Sequence, residues 1–195
     1  MDYDAVLLAN IKQLVSLSEA DEAHILNQFH PLKLNKKEYL IAEDEVSNYM
    51  NFIVMGSLRS FYIDSQGKEH TLQLGIENWW INDLYSYLTQ TPATQYIQSV
   101  EESVVMRIPR HSHDELLHTI PSFERFFRLK IQRGYIALQE RTILRMSQTA
   151  EERYLQFRTK YRSLEQRFPQ YMIASYLGVT TEFLSAVRKK LSTLN

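Results

Sequence analysis

The sequence predicts an α+β chain: an antiparallel β jelly roll toward the front, a long connecting helix, and a C-terminal helical (winged) helix-turn-helix. Three observations carry this expectation. Between residues 30 and 108 short apolar runs alternate with turn residues. After Pro109 the apolar spacing becomes helical and stays so, and residues 170–191 read as two helices around one glycine. These shifts divide the chain into 1–120, 121–147 and 148–195.

Residues 3–29 carry two helical patterns, with Leu7, Leu8, Ile11, Leu14 and Val15 on the first stripe and Ile25, Leu26 and Phe29 on the second. Ser18-Glu19-Ala20-Asp21 opens the second in capping style. The apolar runs that follow lie at 39–41, 51–55, 58–63, 70–74 and 103–108, the spacing of an antiparallel barrel or jelly roll. Asp64-Ser65-Gln66-Gly67-Lys68 is the clearest hairpin turn, with Gly67 available for a positive φ.

A short helix is expected near Arg110, and Pro121 suits the start of another. Residues 122–147 hold no proline and one glycine, Gly134, so a helix there would span about 35–40 Å at 1.5 Å per residue. One small domain does not cover that length. Phe123, Phe127, Ile131, Gly134 and Leu138 form a near-heptad stripe through which two copies could pair, with Gly134 permitting close approach. Phe126 and Phe127 also suit packing on the barrel, so one face is expected inward and another on a partner.

In the last segment Pro169 fits a first helical turn, Ile173, Ala174 and Leu177 share one face, and Gly178 suits a left-handed cap. The turn through Val179 delivers Thr180 as the next N-cap. Leu184, Val187 and Leu191 then face inward, leaving Thr181, Glu182, Ser185, Arg188 and Lys189 outward. With Gln170, Thr180 and Ala186, these are the candidate DNA contacts: polar and basic types reach phosphates and base edges, and a small methyl can meet thymine. An ordinary helical hairpin would share the pattern, and charge separates the two readings. The chain has 22 basic and 23 acidic residues, net −1; before Arg125 it has 8 basic and 18 acidic, net −10, and from there 14 basic and 5 acidic, net +9. A polyanion would be drawn to the second part and repelled by the first. Many of the later arginines simply solvate helix faces.

With 44% hydrophobic and 23% charged residues the composition is that of a soluble globular protein. No run approaches the roughly 20 apolar residues of a membrane helix, and Met1-Asp2-Tyr3-Asp4 lacks the start of a signal peptide, so a cytoplasmic location and no membrane partner are expected. Without cysteine there are no disulfides, thiolate zinc sites or cysteine-held iron–sulfur clusters. An enzyme is not expected, since no Gly-rich phosphate loop or nucleophile elbow occurs. The remaining alternative is a metal-dependent cupin built on His111, His113 and Glu115, but these fall where a helix starts, and residues two apart on a helix diverge.

A jelly roll, a long helix and a winged helix-turn-helix together resemble the catabolite activator protein and fumarate–nitrate reduction regulator (Crp/Fnr) family. The most specific likeness lies in Phe52-Ile53-Val54-Met55-Gly56-Ser57-Leu58-Arg59 with its following hairpin, and in residues 173–185. The resemblance implies a homodimer paired through the long helix, a two-fold double-stranded DNA operator, and RNA polymerase as a further partner. It also places a cyclic-nucleotide cassette at Trp80-Ile81-Asn82-Asp83-Leu84 and Pro92-Ala93-Thr94-Gln95-Tyr96-Ile97, making Trp80, Asn82, Asp83, Leu84, Thr94 and Gln95 the candidate ligand pocket. There Asn82 stands for the family's Gly and Asp83 for its Glu, and no Arg or Lys occurs between Lys68 and Arg107. A phosphate without its counter-charge loses about a thousandfold in affinity, so cyclic AMP is not expected to bind in the usual way. Trp79, Trp80, Tyr85, Tyr87 and Tyr96 either line a cavity for an uncharged ligand or simply pack the barrel. No cofactor is expected, and a regulator without any effector stays open. Thr181 and Ala186 fall where members of the family place base-reading arginines, while Glu182 matches an acidic residue that accepts from cytosine N4.

Overall fold

A computed structural model describes residues 1–192. Two short helices come first, α1 (Tyr3–Lys12) and α2 (Glu19–Gln28). Asp2 caps α1 by accepting from Ala5 N at 3.1 Å. The expected box opens α2: Asp21 N donates to Ser18 Oγ at 3.2 Å and Ser18 N to Asp21 Oδ2 at 3.3 Å.

Seven strands then build two antiparallel sheets: β1 (His30–Leu34), β2 (Tyr39–Ile41), β3 (Tyr49–Met55), β4 (Leu58–Ile63), β5 (Glu69–Gly75), β6 (Tyr96–Ser99) and β7 (Ser103–Pro109). One sheet has the order β1-β7-β3 and the other β2-β6-β4-β5. Strands β1 and β6 go beyond the five runs expected from sequence. Pro31 has no N–H to give a ladder and is tolerated because β1 is an edge strand, with Leu32 opposite Val105. The short β6 fills the middle of its sheet, setting Tyr96 opposite Phe61. The hairpin joining β4 and β5 forms as expected: the Asp64 carboxylate accepts from Gln66 N at 2.9 Å and Lys68 N at 3.0 Å, with Gly67 at φ 77°.

Between the sheets Ile53, Leu58, Ile81, Ile97 and Val105 are fully buried. Behind β3 and β7 lies a larger core, where Leu7, Ile11 and Ile25 meet Phe52, Ile108, Leu116, Phe123 and Phe126. Each fully buried side chain of this size contributes about 1.5–3 kcal/mol, which fixes the first helices and the start of the long one against the barrel. A six-residue helix, α3 (Leu84–Thr89), interrupts the strands, and α4 (Arg110–Thr119) leads into α5 (Pro121–Ser147), 27 residues long with Pro121 in its first turn.

The chain ends in α6 (Ala150–Lys160), α7 (Arg162–Arg167), α8 (Gln170–Leu177) and α9 (Thr181–Ser192). Tyr154, Phe157, Leu164, Ile173, Leu184 and Val187 form their core, and Leu74 of β5 belongs to the same cluster. Among the described residues this module is helical throughout, without the strand pair of a winged form; after Pro109 the sequence holds no apolar run bounded by turn residues.

The α5 stripe divides. Phe123 and Phe127 are buried against the chain's own barrel, as expected of Phe127, and this burial takes Phe123 off the partner-facing surface. The five residues share one side of the helix at 100° per residue, and the barrel covers only the first turns of it. Ile131 and Leu138 remain exposed, and a Cβ added to Gly134 would meet nothing within 4 Å.

Candidate functional site

Helices α8 and α9 enclose a tight turn. Gly178 takes φ 71° and donates to Ser175 O at 3.1 Å, the left-handed cap that glycine adopts without a Cβ clash. Thr180 Oγ1 accepts from Phe183 N at 3.2 Å, starting α9 as its position in the sequence implied. Leu184 and Val187 turn into the core while Glu182, Ser185, Ala186, Arg188 and Lys189 are exposed. Gln170 Nε2 donates to Ser185 Oγ at 2.6 Å and to Thr181 O at 3.3 Å, so two candidate contacts also bind each other and lock the two helices together. Arg188 lies 3.9 Å from Glu165, and Thr181 is half-buried. The Glu182 carboxyl sits below its usual pKa because its own backbone N–H, and then the Thr180 hydroxyl, hydrogen-bond to the charged form. The start of α9 shares a cleft with Lys68 and Glu69 of the β4–β5 hairpin.

This module is tied to the barrel at defined points. Ser175 Oγ accepts from Thr71 N at 2.8 Å and donates to Glu69 O at 3.0 Å. Arg167 grips both oxygens of Glu77, at 2.5 and 2.6 Å, and Glu101 at 2.8 Å. Burial works against the Glu77 charge, but Arg167 together with backbone donors, Gly56 N among them, outweighs it and holds the carboxyl below its ordinary range. This clamp spans regions far apart in sequence, and no local motif announces it.

The segment between β5 and β6 is occupied by its own side chains. Trp80 packs its ring against Phe29, Phe52, Phe126 and Phe127 and donates from Nε1 to Asn10 Oδ1 at 3.2 Å. Asn82 Oδ1 accepts from Asn51 N at 2.7 Å and Asn51 Nδ2 at 3.1 Å. Asp83 caps α3 through Oδ1, which accepts from Ser86 N at 3.0 Å, while its buried Oδ2 has no partner among the described residues. Leu84 packs on the large core, Ser60 Oγ donates to Gln95, and Thr94 is exposed. The aromatic residues do not converge on one cavity either: Tyr87 is buried against His113, Tyr85 is 65% exposed, and Tyr96 stacks on Phe61 while donating to Glu43 at 2.7 Å. The buried guanidinium nearest in the strands, Arg59, is engaged by Glu69 at 2.6 Å, by Gln98, and by the Phe61 ring.

Residues 31–119 match the family model of the cyclic nucleotide-binding domain. No curated protein matches the chain by sequence. Solved structures match over most of its length. FixK2 from Bradyrhizobium japonicum is 18% identical with a TM-score of 0.70, covering 85% of each chain. The c-di-GMP responsive global regulator CLP from Xanthomonas campestris is 11% identical with a TM-score of 0.70, covering 90% of this chain and 92% of its own. A CooA variant from Carboxydothermus hydrogenoformans is 16% identical with a TM-score of 0.69, covering 87% and 79%.

The chain has the Crp/Fnr fold. Within that Crp/Fnr frame, the long helix keeps an exposed stripe in which Tyr135 and Met146 join Ile131 and Leu138 of the heptad count: the four lie within about one quadrant of the helix at 100° per residue and are between 44% and 85% exposed. No helix among the described residues is long and apolar enough to cross a membrane. The alternative metal residues separate on α4: His111 and Glu115 are exposed, whereas His113 turns inward to the Tyr87 hydroxyl at 3.1 Å.

Proposed function

We propose that this chain is a homodimeric, sequence-specific DNA-binding regulator whose barrel does not take cyclic AMP in the usual way. One observation carries the reading. Helix α9, held by the Gly178 turn, shows an exposed row of Glu182, Ser185, Ala186, Arg188 and Lys189 in the C-terminal part of the chain, whose net charge is +9. A capped helix with apolar residues on one side and short polar and basic ones on the other suits the major groove. Pairing is supported by the exposed apolar stripe on α5, whose burial against a second copy would remove large hydrophobic side chains from water. The cyclic AMP reading follows from the cassette, where Asn82 and Asp83 already bond within the chain and no cation lies between Lys68 and Arg107.

The test is selection from a random duplex library by the purified chain, followed by titration of the best duplex at several salt concentrations. A two-fold symmetric site is expected, with affinity falling about a thousandfold or more between roughly 50 and 200 mM salt if six or more phosphates are contacted. Absence of salt-sensitive affinity for every duplex removes the reading. Sedimentation should give a dimer that Leu138→Glu converts to monomer, and cyclic AMP should leave the melting temperature unchanged.

A further inference from the structure

Where barrel, long helix and terminal module meet lies a cavity of about 400 Å³. None of the cassette residues 80–84 or 94–95 lines it. Its apolar walls come from both ends of the chain: Leu74 and Trp79 from the barrel side, Leu138 from α5, Phe157 from α6 and Tyr176 from α8. Trp79 and Tyr161 meet edge to face across the junction at 6.1 Å.

The polar part of the wall is cationic. Lys160 is neutralised by Glu140 at 3.2 Å. Arg141, Arg145 and Arg153 have no carboxylate within ion-pair distance among the described residues. Arg141 donates once to Leu72 O at 2.5 Å and lies over the Tyr176 ring at 5.0 Å. Arg153 donates to Gln148 O and Leu177 O, and its Nε is buried without a partner. A guanidinium has five N–H donors, so these side chains keep spare donors beside an apolar space. Gly134 on the same wall is unexplained by internal packing, since a Cβ there would touch nothing. A glycine in mid-helix is less favourable than alanine, so a site beside it is the remaining reason for it on this wall.

We propose that this junction cavity binds a small amphipathic monocarboxylate, its apolar body between Leu74, Trp79 and Phe157 and its carboxylate on Arg141 and Arg145. The volume lies in the range of small-molecule sites, and mostly apolar walls with a few convergent donors fit one anionic group on a hydrocarbon or aromatic body. Because the walls belong to both the barrel and the terminal module, an occupant would fix how the two dock. The site stands apart from the DNA reading, and its test uses no duplex.

The chain has two tryptophans, and Trp79 faces the cavity while Trp80 is packed in the core, so intrinsic fluorescence reports on occupancy. The full chain is titrated with decanoate and, separately, with decanol. Decanoate should change the emission saturably and bind at least about tenfold more tightly than decanol, the advantage of a charge-assisted hydrogen bond. The signal should vanish in Trp79→Phe. Affinity should fall at least about tenfold in Arg141→Gln/Arg145→Gln, and also in Ala137→Phe, which fills the space and keeps both guanidinium groups. Three results overturn the proposal: no saturable response, equal affinity for decanol, or undiminished decanoate affinity in Ala137→Phe or in the double variant with a parental melting curve.

Discussion

Residues 76–95, the expected ligand cassette, and helix α9, the proposed DNA-facing helix, are finished differently. In the first, Trp80 is locked into an aromatic cluster, Asn82 Oδ1 is held by Asn51, and Asp83 Oδ1 by Ser86 N. In the second, Leu184 and Val187, with Leu191 partly buried beside them, pack on the core, and Ser185 and Ala186 stay in solvent. The difference teaches that a shared fold supplies the frame of both places while the chemistry of each is set residue by residue. The comparison can be broken from the closed side by asking how much stability its residues hold, and sharpened from the open side by asking how little.

The largest effect is expected from Trp80→Ala. It removes a ring in contact with Phe29, Phe52, Phe126 and Phe127, so folding stability should fall by about 3–5 kcal/mol in urea titration without ligand. A loss below about 1 kcal/mol would return Trp80 to the role of a ligand wall. Next comes His113, which closes α4 over Tyr87 in the same segment. Burial lowers its pKa from 6.5 to about 4, against the opposing pull of Asp114. Above the unfolded value neither state carries the proton. Between the two values the unfolded chain binds it and the folded chain does not, so stability falls as pH drops through that window, by about 3 kcal/mol in all, and this contribution levels off below the folded value. Urea midpoints from neutral pH down to about 4 should show this slope in the parent and a shallower one in His113→Asn.

How much of this was legible differs between the two stretches for a physical reason. The α9 end is governed by local rules: Gly178 for a left-handed turn, Thr180 for a cap, apolar residues at three- and four-residue spacing. Each was readable and each is found. The same holds for the Ser18 box and the Asp64 turn. The cassette is governed by tertiary partners. That Trp80 would turn to Phe126 and Phe127, more than forty residues later, or that Asn82 would bond Asn51, follows from sheet closure and not from spacing. Strand β1 was hidden by Pro31, which a pattern reading takes as a break and an edge position accommodates. The α5 stripe failed in between, because periodicity marks a face without saying which neighbour covers it.

Smaller effects test the finer grain of the contrast. Asn82→Ala leaves the Asn51 N–H without its acceptor, so a loss of about 1–3 kcal/mol is expected, less than at Trp80 because no aromatic packing goes with it. The smallest effect on folding belongs to Glu182→Ala. Its carboxylate is exposed and hydrogen-bonds to its own backbone and Thr180, so the melting temperature should move by no more than about 2 °C. On DNA the same substitution should act where folding does not. If the carboxylate leaves the helix start to accept from a base edge, discrimination at one base pair per half-site should relax about fivefold to a hundredfold. The selected sequences would then differ from the parent's at that position alone. An unchanged preference would reduce Glu182 to a helix-starting residue and move base reading to Ser185 and Ala186, the next exposed side chains along the same face.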